Sequence, residues 1–163
     1  MKNIEIFPNA FLPIGQKKLF LYDQHFNLFI KLYKKSLLPN KILLSGQSGL
    51  GKSTFVYHFI NYILSDKEDY PYDSTNFTIN SLNRSFRLIG QQYHPNFYLI
   101  ENFIDKQTID IKQVKNMISY MNKTSYDKKV KFILIDNAEY LNLHSVNALL
   151  KVIEEPPSNT HVI

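Results

Sequence analysis

Hydrophobic and polar positions along this chain alternate between short apolar runs and longer stretches of 3.6-residue period. From residue 18 to 37, Leu19, Phe20, Leu21, Phe26, Leu28, Phe29, Leu32, Tyr33 and Leu37 recur at mostly helical spacing, with Lys31, Lys34 and Lys35 opposite. That spacing predicts a helix, ended by Leu38-Pro39-Asn40. The run 41–45 predicts a short buried strand, and a glycine-rich turn leads from it into a helix from about Lys52 to Leu64. Residues 65–96 are rich in turn formers and read as an irregular or partly helical insertion. Residues 97–100 predict a second strand. Asp110 stands where it can N-cap a helix whose apolar face is Ile111, Val114, Met117, Ile118 and Met121, with Gln113 at the capping-box position. Residues 130–135 predict a strand ending at Asp136. A helix from about Leu143 to Glu155 stops at Pro156-Pro157, because the residue before a proline disfavours α geometry. His161-Val162-Ile163 reads as the start of another strand. Apolar strands alternating with helices define an α/β class, a parallel sheet with helices on both faces and right-handed crossovers.

Within that fold the strand 41–45 runs into Gly46-Gln47-Ser48-Gly49-Leu50-Gly51-Lys52-Ser53-Thr54, which fits G-x-x-x-x-G-K-[ST] after a strand and at the opening of a helix. Glycines let backbone N–H groups crowd around phosphate oxygens, and the helix N-terminus adds its dipole. Lys52 can reach β- and γ-phosphates, and the Ser53 hydroxyl can ligate Mg²⁺. Three of the chain's five glycines fall within these residues, which favours a phosphate loop over an incidental turn.

Asp136, at the carboxyl end of an apolar strand, suits the acidic residue that assists Mg²⁺ in such proteins. The expected arrangement sets 130–135 beside 41–45 and so brings Asp136 within metal reach of Ser53. Many P-loop ATPases carry a Glu directly after this Asp; here the position is Asn137, and an amide orients water without accepting its proton. Glu139 stands two residues further on.

Composition narrows the setting. A chain of 163 residues suits one domain. With 44% apolar and 20% charged residues, wholesale disorder is excluded. The lack of cysteine removes disulfides, thiolate zinc sites and iron–sulfur clusters. No apolar run suffices to span a membrane, and MKNIEIFPNAF has no secretory h-region, so a cytoplasmic protein is expected. Net charge is +5, and every basic residue except Arg84 and Arg87 is lysine. The lysines are scattered and accompany abundant Asn, Ile and Tyr, a pattern that AT-rich codons produce; charge alone does not single out a phosphate-rich partner.

Leu38-Pro39-Asn40, the phosphate loop, His94-Pro95-Asn96, Ile109-Asp110-Ile111 and FILIDNAEYLNLHSVNALLKVIEEPP over 132–157 occur in an order that resembles the clamp-loader AAA+ ATPases of bacterial DNA polymerase III. The likeness is greatest to subunits of the delta-prime type, with the gamma/tau type close behind. It implies a P-loop NTPase fold of AAA+ type. Residues 1–163 would form a partial nucleotide-binding domain with a variable insertion at 65–96, cut before the sensor strand is complete. The resemblance implies ATP and Mg²⁺ held by Gly46 through Thr54 with Asp136. The implied partners are other subunits of a five-membered ring, the sliding clamp and primed DNA, and the holoenzyme activity would be that of a DNA-directed DNA polymerase. It also implies that residues 147–151 lie near a DNA-facing chamber. Many relatives carry a four-cysteine zinc module after the first helix; with no cysteine here, zinc is not expected. Asn137 favours the delta-prime type and implies weak or absent hydrolysis in isolation. The sensor residue, the Ser-Arg-Cys motif, the helical lid and the collar all lie beyond the last residue, so the chain reads as a fragment or an unusual short relative.

Smaller features weigh less. His94 reads as a turn residue, since His58, His144 and His161 show no metal-like spacing with it. Arg84 and Arg87 read as solvated surface, and Lys112 and Lys115 as an exposed helix face that could meet DNA phosphates. The aromatics read as core. Three functions stand open: a clamp-loader ATP-binding subunit of delta-prime or gamma/tau type, a small P-loop kinase using Arg84 and Arg87, and a structural member that binds nucleotide without hydrolysing it.

Overall fold

The computed structural model describes residues 12–102, 108–123, 130–157 and 159–163. The reading of the N-terminus rests largely on residues outside that set. Eight named elements follow in order: α1 (Asp23–Lys34), α2 (Lys52–Leu64), α3 (Arg84–Gly90), β1 (Phe97–Ile100), α4 (Ile111–Asn122), β2 (Lys131–Ile135), α5 (Leu143–Ile153) and β3 (Thr160–Val162), with short 3-10 turns at Pro13–Gly15 and Ala138–Tyr140. They divide into two compact units, one of Met1–Leu38 and Gly46–Tyr93, the other of Pro39–Ser45 and His94–Ile163. Among the described residues, no helix is long and apolar enough to cross a membrane.

The second unit holds a three-stranded parallel sheet of order β1-β2-β3. Phe97 pairs with Phe132 and Ile100 with Ile135 on one side of β2, and Lys131 pairs with Thr160 and Ile133 with Val162 on the other. Strand β2 is buried from Lys131 to Leu134, as the central strand of a parallel sheet must be. Val114, Met117 and Met121 of α4 and Leu149 of α5 pack with Ile100, Ile133 and Val162 into one core. The sequence places α4 well, save that Ile111, expected on its apolar face, is exposed. Asp110 accepts from the Gln113 N–H at 3.1 Å while the Gln113 side chain accepts from the Asp110 N–H at 3.1 Å, so the expected capping box is complete. Helix α5 is capped by Asn142 and ends at Ile153, two residues short of the expected stop.

Two expectations about the sheet are corrected. Residues 41–45 do not form a strand: Lys41 makes a single parallel bridge to Val162, with Ile42 N–H donating to Val162 O at 2.9 Å and Val162 N–H to Asn40 O at 2.8 Å. Leu43, in the middle of the apolar run, is 84% exposed. Nor does this segment lie beside β2. β3 occupies that place, because β2 already pairs on both edges, with β1 and with β3. β3, Thr160–Val162, therefore sets the order of the described sheet.

The first unit is an aromatic core. Phe26 of α1 is fully buried and meets Phe55, Phe59, Tyr62, Tyr72 and Phe77 with ring centroids between 5.2 and 6.3 Å. Tyr72 and Phe77 bring the insertion 65–96 into that core. It is bound further by polar contacts: in the interior Asn61 Nδ2 donates to Asn83 Oδ1 at 3.0 Å, and half-buried Glu68 accepts from the Ser85 N–H and hydroxyl. The predicted helix over 18–37 is shorter than expected. Residues 17–19 are drawn into an extended pairing with the insertion, Leu19 N–H donating to Phe77 O and Ile79 N–H to Lys17 O, so α1 starts only at Asp23. Ser36, at φ 57°, then ends the helix before the expected Pro39 break.

Candidate functional site

Residues 46–50 of the phosphate loop are exposed and Gly51 through Thr54 are half-buried, where the loop enters α2. Gly49 and Gly51 hold left-handed backbone, φ 82° and 81°, the region that glycine enters without a Cβ penalty. A Cβ at Gly49 would meet nothing within 4 Å, so backbone conformation rather than space is what the position requires. Gly51 is the N-cap of α2; no side chain caps that end, and no acidic residue stands in the first turn. The positive end of the helix dipole is thus left for an external anion. Below it, Phe55, Val56, Phe59 and Ile60 are buried and make α2 a fixed platform.

Lys52 folds back over the loop, its ammonium donating to Gly46 O and Gln47 O, both at 2.8 Å. A cation is therefore already stationed among the loop peptides, drawn to two carbonyls that a phosphate would compete with. One neighbour escaped the sequence reading. Tyr22, just before α1, donates its hydroxyl to Leu50 O at 2.7 Å, and its ring lies 5.3 Å from that of Phe55. Nothing local marks it, since it stands 28 residues from its partner.

Asp136 belongs to the second unit. It follows β2, is half-buried, and donates its backbone N–H to Ile100 O at 2.8 Å. Asn137 is exposed with left-handed backbone, φ 57° and ψ 59°, a conformation that Asn tolerates better than most residues. It caps the 3-10 turn that carries Glu139, which is also exposed.

The remaining candidates separate. His94 Nδ1 accepts from the Asn96 N–H at 3.1 Å, which fits the turn role expected of it. His161 donates from Nδ1 to Pro39 O at 2.9 Å, His58 is buried in the first unit, and His144 is exposed on α5. Among the described residues no group of three His, Cys, Asp or Glu side chains is placed to hold a metal ion. Arg84 is exposed, and the Arg87 guanidinium donates to Leu82 O at 2.8 Å. Lys112 and Lys115 are exposed near the start of α4.

Residues 22–163 match the sequence model of a family described as DNA polymerase III, delta subunit. The chain belongs to this family. It is a family of AAA+ clamp-loader domains, in keeping with the parallel α/β sheet described above. Among individual members, the chain is 25% identical over 140 residues to the DNA polymerase III subunit delta' of Pseudomonas aeruginosa, covering 86% of the chain and 41% of that protein. It is 28% identical over 129 residues to the subunit of that name from Buchnera aphidicola subsp. Schizaphis graminum, covering 78% of the chain and 37% of the relative. The Escherichia coli K12 subunit delta' is 23% identical over 135 residues, covering 83% of the chain and 39% of that protein. The chain thus spans about two fifths of the length of these curated relatives.

Proposed function

We propose that this member of the DNA polymerase III delta family is a nucleotide-binding subunit of a clamp loader, of the delta-prime type, and that it takes ATP with Mg²⁺. The observation that carries the proposal is the phosphate loop at the uncapped start of α2, with the Lys52 ammonium stationed over it. The names of the relatives supply the setting, DNA polymerase III. In this reading the loop from Gly46 to Thr54 binds the phosphates through its backbone N–H groups, and Lys52 transfers its charge from loop carbonyls to phosphate oxygens. Ser53, at the start of α2, would ligate Mg²⁺, whose charge would screen that of the phosphates. The protein acts in a ring with other clamp-loader subunits, toward the sliding clamp and primed DNA.

Asn137 sets this reading apart from a gamma/tau-type motor. Its side chain cannot take a proton from water near neutral pH, so it favours nucleotide binding with slow turnover. Nothing favours the kinase alternative: Arg87 is engaged by its own loop and Arg84 stands exposed on α3.

Calorimetric titration with MgATP tests the proposal. The full-length protein should bind, and Lys52→Ala should lose measurable binding, because the ammonium stationed on the loop carbonyls is removed. Unchanged affinity in Lys52→Ala would overturn the assignment of the loop.

A further inference from the structure

We propose that Tyr22 is a positioning residue of the phosphate loop, holding the Leu50–Gly51 peptide in the orientation that nucleotide binding needs. This rests on the nucleotide reading above and extends it to a residue outside the motif. The loop has three glycines at positive φ, Gly46, Gly49 and Gly51, and glycine is the residue that loses most conformational freedom on ordering. A loop ordered only when phosphate arrives spends part of its binding energy on that ordering; a loop already held does not.

Tyr22 supplies the hold. Its hydroxyl donates to Leu50 O at 2.7 Å, and its Cε2 would lie 3.7 Å from a Cβ placed on Gly51. The Leu50 carbonyl and the Gly51 N–H belong to one trans peptide unit, so they point to opposite sides. Anchoring the carbonyl on Tyr22 turns the Gly51 N–H away from Tyr22 and stops the peptide from flipping. That peptide lies one residue ahead of the Gly51–Lys52 link, in the stretch where a phosphate loop presents backbone donors. Tyr22 is itself fixed: its ring rests 5.3 Å from that of buried Phe55, and Phe55 packs at 6.1 Å against fully buried Phe26. The residue before it, Leu21, is 97% exposed and held at φ 65°. No burial of the Leu21 side chain accounts for that conformation, and it delivers the chain into Tyr22 at the head of α1.

The experiment compares the full-length protein with Tyr22→Phe, which keeps the ring and removes the hydroxyl. Both are titrated with MgATP and with inorganic triphosphate, which lacks base and ribose. Affinity for the two ligands should fall by the same factor, about three- to tenfold, the worth of one such hydrogen bond. The ligand-free melting temperature should stay put. Equal affinities in the two proteins would overturn the inference and leave the nucleotide reading intact. A loss confined to MgATP would also overturn it, by placing Tyr22 against the base or ribose. Failure of the unaltered protein to bind either ligand would overturn the nucleotide reading and this inference with it.

Discussion

His58 shows how far a single residue can be committed by its surroundings. It is fully buried, Tyr72 and the Gln16 carbonyl face its two ring nitrogens, and both contacts are short, 3.0 Å to the tyrosine oxygen and 3.1 Å to the carbonyl. A carbonyl only accepts, so Nε2 carries the proton and Nδ1 accepts from Tyr72. Burial, opposed by the bond to Gln16, pushes its pKa down from 6.5 to about 4. Between those values the unfolded chain binds a proton that the folded chain refuses. Stability is therefore full above pH 6.5, declines as pH falls through the window and levels off below about 4, with a total loss on the order of 3 kcal/mol. Urea unfolding at pH 7 and pH 4.5 should show that decline, and a His58→Gln variant should show a shallower one. An equal slope in the two proteins would place the acid sensitivity elsewhere.

At the scale of elements, α4 is secured at both ends by different means. Its N-terminus closes on the capping box of Asp110 and Gln113, readable four residues at a time. Its C-terminus is closed from another element. Lys131, at the start of β2, is buried, and its ammonium donates to Tyr120 O at 3.1 Å, to Met121 O at 3.4 Å and to Lys123 O, while lying 5.0 Å from the centre of the Tyr120 ring. Burial first, and Lys123 second, lower its pKa. The carbonyls at the end of a helix carry its negative pole, so a cation there answers both the dipole and the missing donors. Lys131→Met keeps the aliphatic stem and strands those acceptors. It should cost about 1–3 kcal/mol in chemical denaturation, and a change below a few tenths would mean that water replaces the ammonium at no cost.

For the whole molecule the question is turnover. A trans arginine is worth roughly 10³ to 10⁵ in rate in related phosphoryl-transfer enzymes. In the proposed reading this protein binds MgATP yet, by itself, turns it over far more slowly than about 1 per second. Asn137→Glu should rescue little. Its carboxylate would have to be placed from a left-handed backbone, φ 57°, where Glu is disfavoured, and the arginine would still be lacking. Steady-state phosphate release from the full-length protein, with and without clamp, primed DNA and partner subunits, measures this. Turnover near 1 per second for the protein alone would sink the delta-prime reading and raise that of a motor.

The sequence by itself determined what is contiguous. Nine residues from Gly46 to Thr54 specify a loop because left-handed glycines and a helix start are properties of neighbouring φ and ψ angles. The capping box, the apolar face of α4 and the buried run of β2 are legible for the same reason. Tertiary structure decided what depends on competition between distant segments. Residues 18–37 have mostly helical spacing, yet residues 17–19 pair with residues 77–79, whose backbone groups were available to take their hydrogen bonds. The run 41–45 reads as a buried strand, yet only Lys41 bridges, and it bridges to β3, because β2 already has a neighbour on each side. Tyr22 and Leu50, Lys131 and the end of α4, and His58 between Tyr72 and Gln16 are partnerships that no local pattern announces. Local sequence sets what each segment prefers to be; which segment becomes its neighbour is settled only when all of them bury their surfaces at once.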